Sequence, residues 1–287
     1  MTNPQLTIGF IGAGKCGTAL AKALSDAGYI VRGVASRSTE SGSKLAAALP
    51  DAEPMASEQL VAQCNLVFIT TPDDHIKDIV EEQLWRNGQY VVYCSGALEL
   101  SQLDYILELG ALRGCFHPLQ TFSTASQANS LRDVSIGVEA DSPLSIVLEQ
   151  MVNRLGASVI RLAGINRARY HAAAVFASNY VIALHGAAKR IWESAGLSPE
   201  SALKALSPLT TGAMENLKQL SLEQALTGPI ARGDIVSIKS QLAILSATPD
   251  LHKLYRDLGA ELLNLELGHG DTTKALLEKL FKDESSL

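Results

Sequence analysis

No two of the four cysteines lie close together: Cys16, Cys64, Cys94 and Cys115 are far apart, form no C-x-x-C pair, and each sits in or beside an apolar segment. Such spacing offers neither a thiolate metal cage nor a disulfide framework, so free, buried thiols in a reducing cytoplasm of the bacterial type are expected. No two of the six histidines have the spacing of a helical metal pair, and no metal is expected. No block of Lys or Arg offsets the net charge of -6, which argues against nucleic acid or an anionic membrane as partner. Every apolar run is soon broken by a charged or polar residue, so no membrane span is expected. The opening MTNPQLTIGF carries neither a charged leader nor an apolar stretch ending in a cleavage site. Internal repeats and low-complexity segments are also lacking. What remains is a chain of 287 residues, 47% apolar and 19% charged, long enough for two domains and apolar enough to bury a core in each.

The most informative stretch is GFIGAGKCGTALAKAL, residues 9–24, in which Gly12, Gly14 and Gly17 have the G-x-G-x-x-G spacing. Alone that spacing is weak, and its surroundings decide. LTIGFI before it is short, apolar and β-rich. KCGTALAKALSDAG after it has small or apolar residues at helical spacing and stops at Gly28, and YIVRGVA follows as a second strand. A β-α-β unit of this kind uses its first glycine for a tight turn, its second for close approach of a pyrophosphate and its third for helix–strand packing. The free N–H groups and positive dipole end of the helix hold the phosphate charge. Gly12, Gly14, Lys15, Cys16 and Gly17 are therefore the candidate phosphate-binding residues. At the end of the second strand an NAD site usually places Asp or Glu for the ribose hydroxyls. Here Ser36, Arg37 and Ser38 stand instead, a guanidinium and two hydroxyls suited to a 2′-phosphate, and the expected cofactor is NADP(H).

Further strands end at Thr70-Thr71-Pro72, at Ser95 and at His117-Pro118, and DVSIGVEA and ASVIRLAG supply two more. The carboxyl edge of an open parallel sheet is where ligands bind, so Thr70, Thr71, Pro72, Ser95 and His117 all point to one crevice. Thr71 and Ser95 would equally serve as turn caps. After Gly164 the strand signals stop. Residues 166–196, NRARYHAAAVFASNYVIALHGAAKRIWESAG, contain no proline and read as one long, mostly apolar helix, followed by shorter helices including Pro199 to Leu206 and Thr210 to Leu220. A helix so apolar all round belongs at the centre of an all-helical domain. The expected architecture is a doubly wound, mostly parallel α/β domain over residues 1–163 and an all-α domain over residues 164–287. The second should pair two copies of the chain into a homodimer.

That order of domains resembles the 6-phosphogluconate-dehydrogenase-like superfamily, which includes ketopantoate reductase, pyrroline-5-carboxylate reductase and prephenate dehydrogenase. More narrowly, GAGKCGTAL, CSGAL, FHPLQTF, YHAAAVFASNY and TGPIARGD resemble a bacterial family of Rossmann-like oxidoreductases whose C-terminal domain has no assigned function. The resemblance spans nearly the whole chain. It implies that His117, in HPLQ, contacts the reacting group, as in prephenate dehydrogenases. It implies that Asn179 on the long helix faces the substrate, and that TGPIARGD (Thr227 to Asp234) covers it, with Asp234 as a substrate-binding acid. One position departs from the pattern. Ketopantoate reductases and β-hydroxyacid dehydrogenases carry a catalytic Lys four residues before the helix Asn, where this chain has Val175. A replacement proton donor is needed, and His171, His117 and Lys239 are the candidates. His171 and Asn179 would stand roughly 12 Å apart along a helix, able to bracket a small substrate and unable to grip one atom. A core or interface role for His171 fits the sequence equally well.

The expected activity is NADPH-dependent reduction of a small, carboxylate-bearing carbonyl or imine, ketopantoate-type first and pyrroline-type second, with prephenate-type oxidation third. The rival is a non-catalytic NADP-binding sensor or scaffold, which the missing Lys keeps open.

Overall fold

The computed structural model describes residues 6–123 and 131–282, so the first five residues of the opening read above lie outside it. The expected β-α-β unit is β1 (Thr7–Ile11), α1 (Lys15–Asp26) and β2 (Ile30–Ala35). It continues through α2 (Thr39–Ala47), β3 (Glu53–Pro54), α3 (Ser57–Gln63), β4 (Leu66–Ile69), α4 (Ile76–Glu82), β5 (Tyr90–Tyr93), α5 (Tyr105–Glu108), β6 (Leu112–Pro118), β7 (Ser135–Ala140), α6 (Leu144–Arg154) and β8 (Ser158–Arg161). The sheet order is β3-β2-β1-β4-β5-β6-β7-β8. Every neighbouring pair is parallel except β6 and β7, which pair antiparallel. All the strands expected from sequence are present, and the two-residue β3 at the edge is an addition.

Strands buried on both faces need continuous apolar runs rather than alternation, which is why LVFI of β4 is buried at every position. One core lies on each face of the sheet. Leu20, Leu24, Leu148 and Met151 of α1 and α6 cover one face, and Leu60, Ile76, Val80 and Trp85 cover the other. Phe68 joins the strands, stacked 5.2 Å from Phe10 and edge-on 5.7 Å from Phe116. The chain runs outward from β1 through β2 to β3, then returns to lay β4 against the other side of β1. At that reversal the loops diverge and leave a crevice at the carboxyl ends of the strands.

The helical part is α7 (Arg167–Ala177), α8 (Asn179–Ser194), α9 (Pro199–Leu217), α10 (Leu222–Ala225), α11 (Pro229–Arg232), α12 (Ile235–Leu245), α13 (Pro249–Leu262) and α14 (Asp271–Lys282). Two expectations are corrected here. The single long helix is broken at Ser178, whose backbone leaves helical values at φ -125 and ψ -66. The Ser178 hydroxyl donates to the Ala174 carbonyl at 2.7 Å, the back-bonding by which serine bends a helix. The two helices expected on either side of Pro208 are instead one, α9, which carries the proline inside it. TGPIARGD, to which the sequence assigns no element, contains a helical turn. It folds as the one-turn α11 between Gly228 (φ +90) and Gly233 (φ +67), two conformations that favour glycine.

The division between compact units also falls later than Gly164, between Asn179 and Tyr180. The reason is that Arg167 and Tyr170 of α7 bond to residues of the sheet. Within the second unit Ile238, Leu242, Leu277 and Phe281 form a small core, and Gly259 makes room for the Phe281 ring, which would lie 2.4 Å from an added Cβ. Among the described residues no helix is long and apolar enough to cross a membrane.

Candidate functional site

The glycine turn has the geometry a pyrophosphate needs. Gly12 adopts φ +115, and a Cβ there would meet the Thr70 backbone at 2.8 Å. A Cβ on Gly17 would fall 2.4 Å from Thr70 Oγ1 and 2.6 Å from the Gly12 carbonyl, so only glycine lets α1 approach β4. Thr70 Oγ1 donates to that carbonyl at 2.8 Å and ties the turn to the β4 loop. At Gly14 an added Cβ would meet nothing within 4 Å. Gly14 also begins α1 with no side-chain cap and no acid in the first turn. Free helix N–H groups therefore face open space beside exposed Lys15 and half-buried Cys16.

This turn forms one end of a cleft of about 530 Å³. Ser36, Arg37 and Ser38 line one wall, and Thr70, Thr71, Pro72, His75, Ile79 and Gln83 line the facing one. Arg37 approaches His75, with Nη1 3.3 Å from Nε2. Ser38 is partly committed already, since its hydroxyl accepts the Ser41 N–H and caps α2. Thr71 Oγ1 is buried with no hydrogen-bond partner among the described residues. A buried hydroxyl in that state favours a ligand that would satisfy it. The uncapped helix, the open Gly14, the unpaired Thr71 and the cationic end at Arg37 all fit a phosphorylated dinucleotide.

Ser95 is the exception among the expected cofactor residues. Its hydroxyl donates to Asp73 Oδ2 at 2.7 Å and accepts the Ala97 and Leu98 N–H groups at 3.1 and 3.2 Å. That is the turn-capping role, and it leaves no proton for a ligand.

Beyond Ser95, at the end of β6, lies a second cluster. The His117 imidazole rests on Gly96, where a Cβ would lie 2.5–2.8 Å from three ring atoms. His117 Nδ1 is 2.9 Å from the Tyr170 hydroxyl, and the His171 ring centroid is 6.4 Å from that of His117. The sheet domain and α7 thus bring His117 and His171 together, and they add Tyr170, which the sequence reading passed over although it opens the quoted YHAAAVF motif. Burial pushes His117 down to about 4, with His171 and Arg167 adding to the effect and Asp73 opposing it. Burial also pushes the Tyr170 phenol up. Both are neutral at neutral pH, so His117 is a hydrogen-bonding imidazole rather than a store of protons.

Beneath this cluster Arg167 is 1% exposed. It donates to Glu139 Oε2 and, at 3.4 Å, to Cys115 Sγ. All four cysteines are free thiols, Cys64 and Cys115 buried and Cys16 and Cys94 half-buried. The hydrogen bond from Cys94 draws the Cys16 thiol below its ordinary range.

Asn179 and Asp234 each have surroundings of their own. Asn179 is exposed at the start of α8, past the break at Ser178. Asp234 caps α12, accepting Ser237 N at 3.0 Å through one oxygen and Ser237 Oγ at 2.7 Å through the other, which holds its carboxyl below the usual range. Exposed Lys239 is on the same helix. Among the described residues no group of three or more His, Cys, Asp or Glu is placed to hold a metal.

Known proteins share this order of domains. Residues 1–118 match the model of a Rossmann-like domain, and residues 134–262 match that of a domain of unknown function, DUF2520. No curated protein matches the chain. Among solved structures, a candidate NADP oxidoreductase from Bacteroides fragilis is 26% identical, with a TM-score of 0.72, covering 88% of this chain and 96% of its own. An imine reductase from Myxococcus stipitatus in complex with NADP+ is 19% identical, with a TM-score of 0.63 over 96% and 100% of the two chains. A 1-pyrroline-5-carboxylate reductase from Streptococcus pyogenes is 18% identical, with a TM-score of 0.62 over 96% and 98%. The chain therefore joins a Rossmann-like domain to a DUF2520 domain, in the fold of NADP-dependent reductases.

Proposed function

We propose that the protein is an NADPH-dependent reductase of a small carbonyl or imine substrate bearing a carboxylate. The observation that carries the reading is the cleft itself, lined by an uncapped glycine turn and by Arg37, which forms no ion pair with a carboxylate among the described residues. Gly12, Gly14 and Gly17 would pass the pyrophosphate, Thr71 would give its hydroxyl a partner, and Ser36 and Arg37 would hold the 2′-phosphate. The cofactor supplies the reducing equivalents when bound. The chain's own part is to hold the substrate, polarise its oxygen or nitrogen and deliver a proton. With Val175 in place of a lysine, that part falls to His117 and Tyr170, with His171 beside them. Asn179 and Asp234 remain candidates for substrate contact from the long-helix segment and the helical domain. Ketopantoate-type reduction is the first substrate class to try and pyrroline-type reduction the second.

The test has two arms. In a binding arm, NADPH should bind at least about tenfold more tightly than NADH, and Arg37→Asp should invert the order. Equal affinities in the parent protein would remove the NADP assignment. In a turnover arm, NADPH oxidation is followed against a panel of 2-keto acids and cyclic imines. Tight NADPH binding with no turnover across the panel would favour the rival reading of a non-catalytic NADP-binding protein.

Pairing of two copies through the helical domain belongs to the same proposal. No residue of α8 is buried, α9 buries only Ala202, and Ile182 and Leu209 are 72% and 70% exposed. Apolar helices of this length need cover, and a second copy supplies matching surface under two-fold symmetry. Light scattering at micromolar concentration should give twice the chain mass, and a monomer mass would refute the pairing.

A further inference from the structure

Arg37 does not stand alone in the cleft. The opposite wall holds His75, at the end of a 3-10 turn (Asp73–His75) that follows Pro72 and leads into α4. The Arg37 and His75 side chains meet at 3.3 Å and bridge the two walls. A guanidinium has only donors, so His75 Nε2 must be the acceptor, which puts the imidazole proton on Nδ1. Carboxylates also line the cleft, and none forms an ion pair with Arg37 among the described residues. Asp74 Oδ1 lies 4.0 Å from His75 Nε2, and Asp78 and Glu82 also line the cleft. The group that meets Arg37 is therefore an imidazole nitrogen and not a carboxylate.

That choice has a consequence for selectivity. A carboxylate at position 75 would lock Arg37 in an ion pair and repel a phosphate. An apolar residue would leave the long arginine side chain free to swing, at a cost in rotamer entropy on every binding event. An imidazole acceptor holds the guanidinium in place by one modest bond that an incoming dianion can displace, and the ring can then turn a donor toward the same phosphate.

We propose that His75 is a specificity-determining residue for the 2′-phosphomonoester of the cofactor, acting by holding Arg37 across the cleft. The proposal rests on the NADP reading above. It concerns only the ligand's 2′-phosphate, so its signature is a change in preference and not in nucleotide affinity as such.

The test is calorimetric titration of the full chain with NADPH and NADH, and with 2′,5′-ADP and 5′-AMP to isolate the phosphate. His75→Ala should cut the NADPH-over-NADH preference by about tenfold while NADH affinity stays within about twofold. His75→Gln, which keeps an acceptor for Arg37, should retain most of the preference, and His75→Glu should abolish it. The 2′,5′-ADP to 5′-AMP ratio should follow the same order. If the parent prefers NADPH and Arg37→Ala removes that preference while all three His75 variants keep it, the role of His75 is overturned and the NADP reading stands. If the parent shows no preference and Arg37→Ala changes nothing, both fall.

Discussion

Replacing His117 by Ala is expected to lower turnover by about 100-fold or more while NADPH affinity hardly changes, the size of effect that follows loss of a positioned proton donor or polarising group. The structure gives the reason a residue-by-residue form. His117 ends β6 at the carboxyl edge of the sheet, its ring lies on Gly96, and its Nδ1 meets the Tyr170 hydroxyl at 2.9 Å. A phenol held protonated can donate to Nδ1, which leaves the imidazole proton on Nε2, where a neutral donor can polarise a substrate carbonyl or imine. In the proposed reaction the Nε2–H group would polarise the substrate oxygen or nitrogen, and the Tyr170 hydroxyl would hold the ring in that tautomer. Tyr170→Phe would remove that hold and should lower turnover by a similar order with no change in NADPH binding. Gly96→Ala displaces the ring, since the new methyl would sit 2.5 Å from Cε1. It should therefore reproduce the His117→Ala effect with all three ring partners still encoded.

The acid limb carries a second mark of the same site. With His117 depressed to about 4, the ring stays neutral as pH falls from 8 to about 5, and its contribution to the rate is flat over that range. Below that, protonation occupies Nδ1 and ends donation from Tyr170, so the rate should drop with a midpoint near the same value. An imidazole acting from its charged form would instead lose activity as pH rises through 6 to 7. A profile of that second kind, or a Tyr170→Phe variant with full turnover, would remove His117 and Tyr170 from the reaction.

The parts of this site that sequence could reveal are those whose cause is local. Gly12, Gly14 and Gly17 are fixed by a turn of a few residues, and Arg37 follows a strand at a spacing set by the fold. The use of the Ser95 hydroxyl is hidden from sequence because its partner Asp73 lies in another loop, and no pattern near Ser95 marks it. His75 was overlooked for the same reason: only the crossing of two loops brings it to Arg37. Tyr170 sits next to His171 in a run that reads as an apolar helix, and its polar end becomes visible only when α7 is laid against β6. The long helix failed at Ser178 through a side-chain bond to Ala174, a choice between two backbone paths that differ by little energy. The first compact unit extends past Gly164, since the early turns of α7 are held to the sheet through Arg167.

Arg167→Ala is expected to destabilise the sheet domain by about 3 kcal/mol, the scale seen when one member of a buried ion pair is removed. Charged residues at helix starts usually read as exposed, yet this one is 1% exposed at the first position of α7 and gives its N–H groups to Glu139 and Cys115. Truncation would leave the Glu139 carboxylate, whose side chain is only 21% exposed, with its counter-charge gone. It would also open a space beneath the helix turn that carries Tyr170 and His171, so the reaction geometry should loosen along with the fold. Each compact unit contains one of the two tryptophans: Trp85, whose indole N–H donates to Val80 at 2.8 Å, and Trp192 in α8. In a Trp192→Phe background, fluorescence therefore reports the sheet domain alone, and its midpoint on heating should fall by roughly 10 °C when Arg167 is truncated. The double variant Arg167→Met with Glu139→Gln removes both charges and keeps most of the volume, and it should recover much of the loss, because the cost lies in the orphaned carboxylate more than in the missing bond. An unchanged midpoint in Arg167→Ala would show the pair to be dispensable. A double variant no better than the single one would place the cost in packing around the long side chain instead of in the charge.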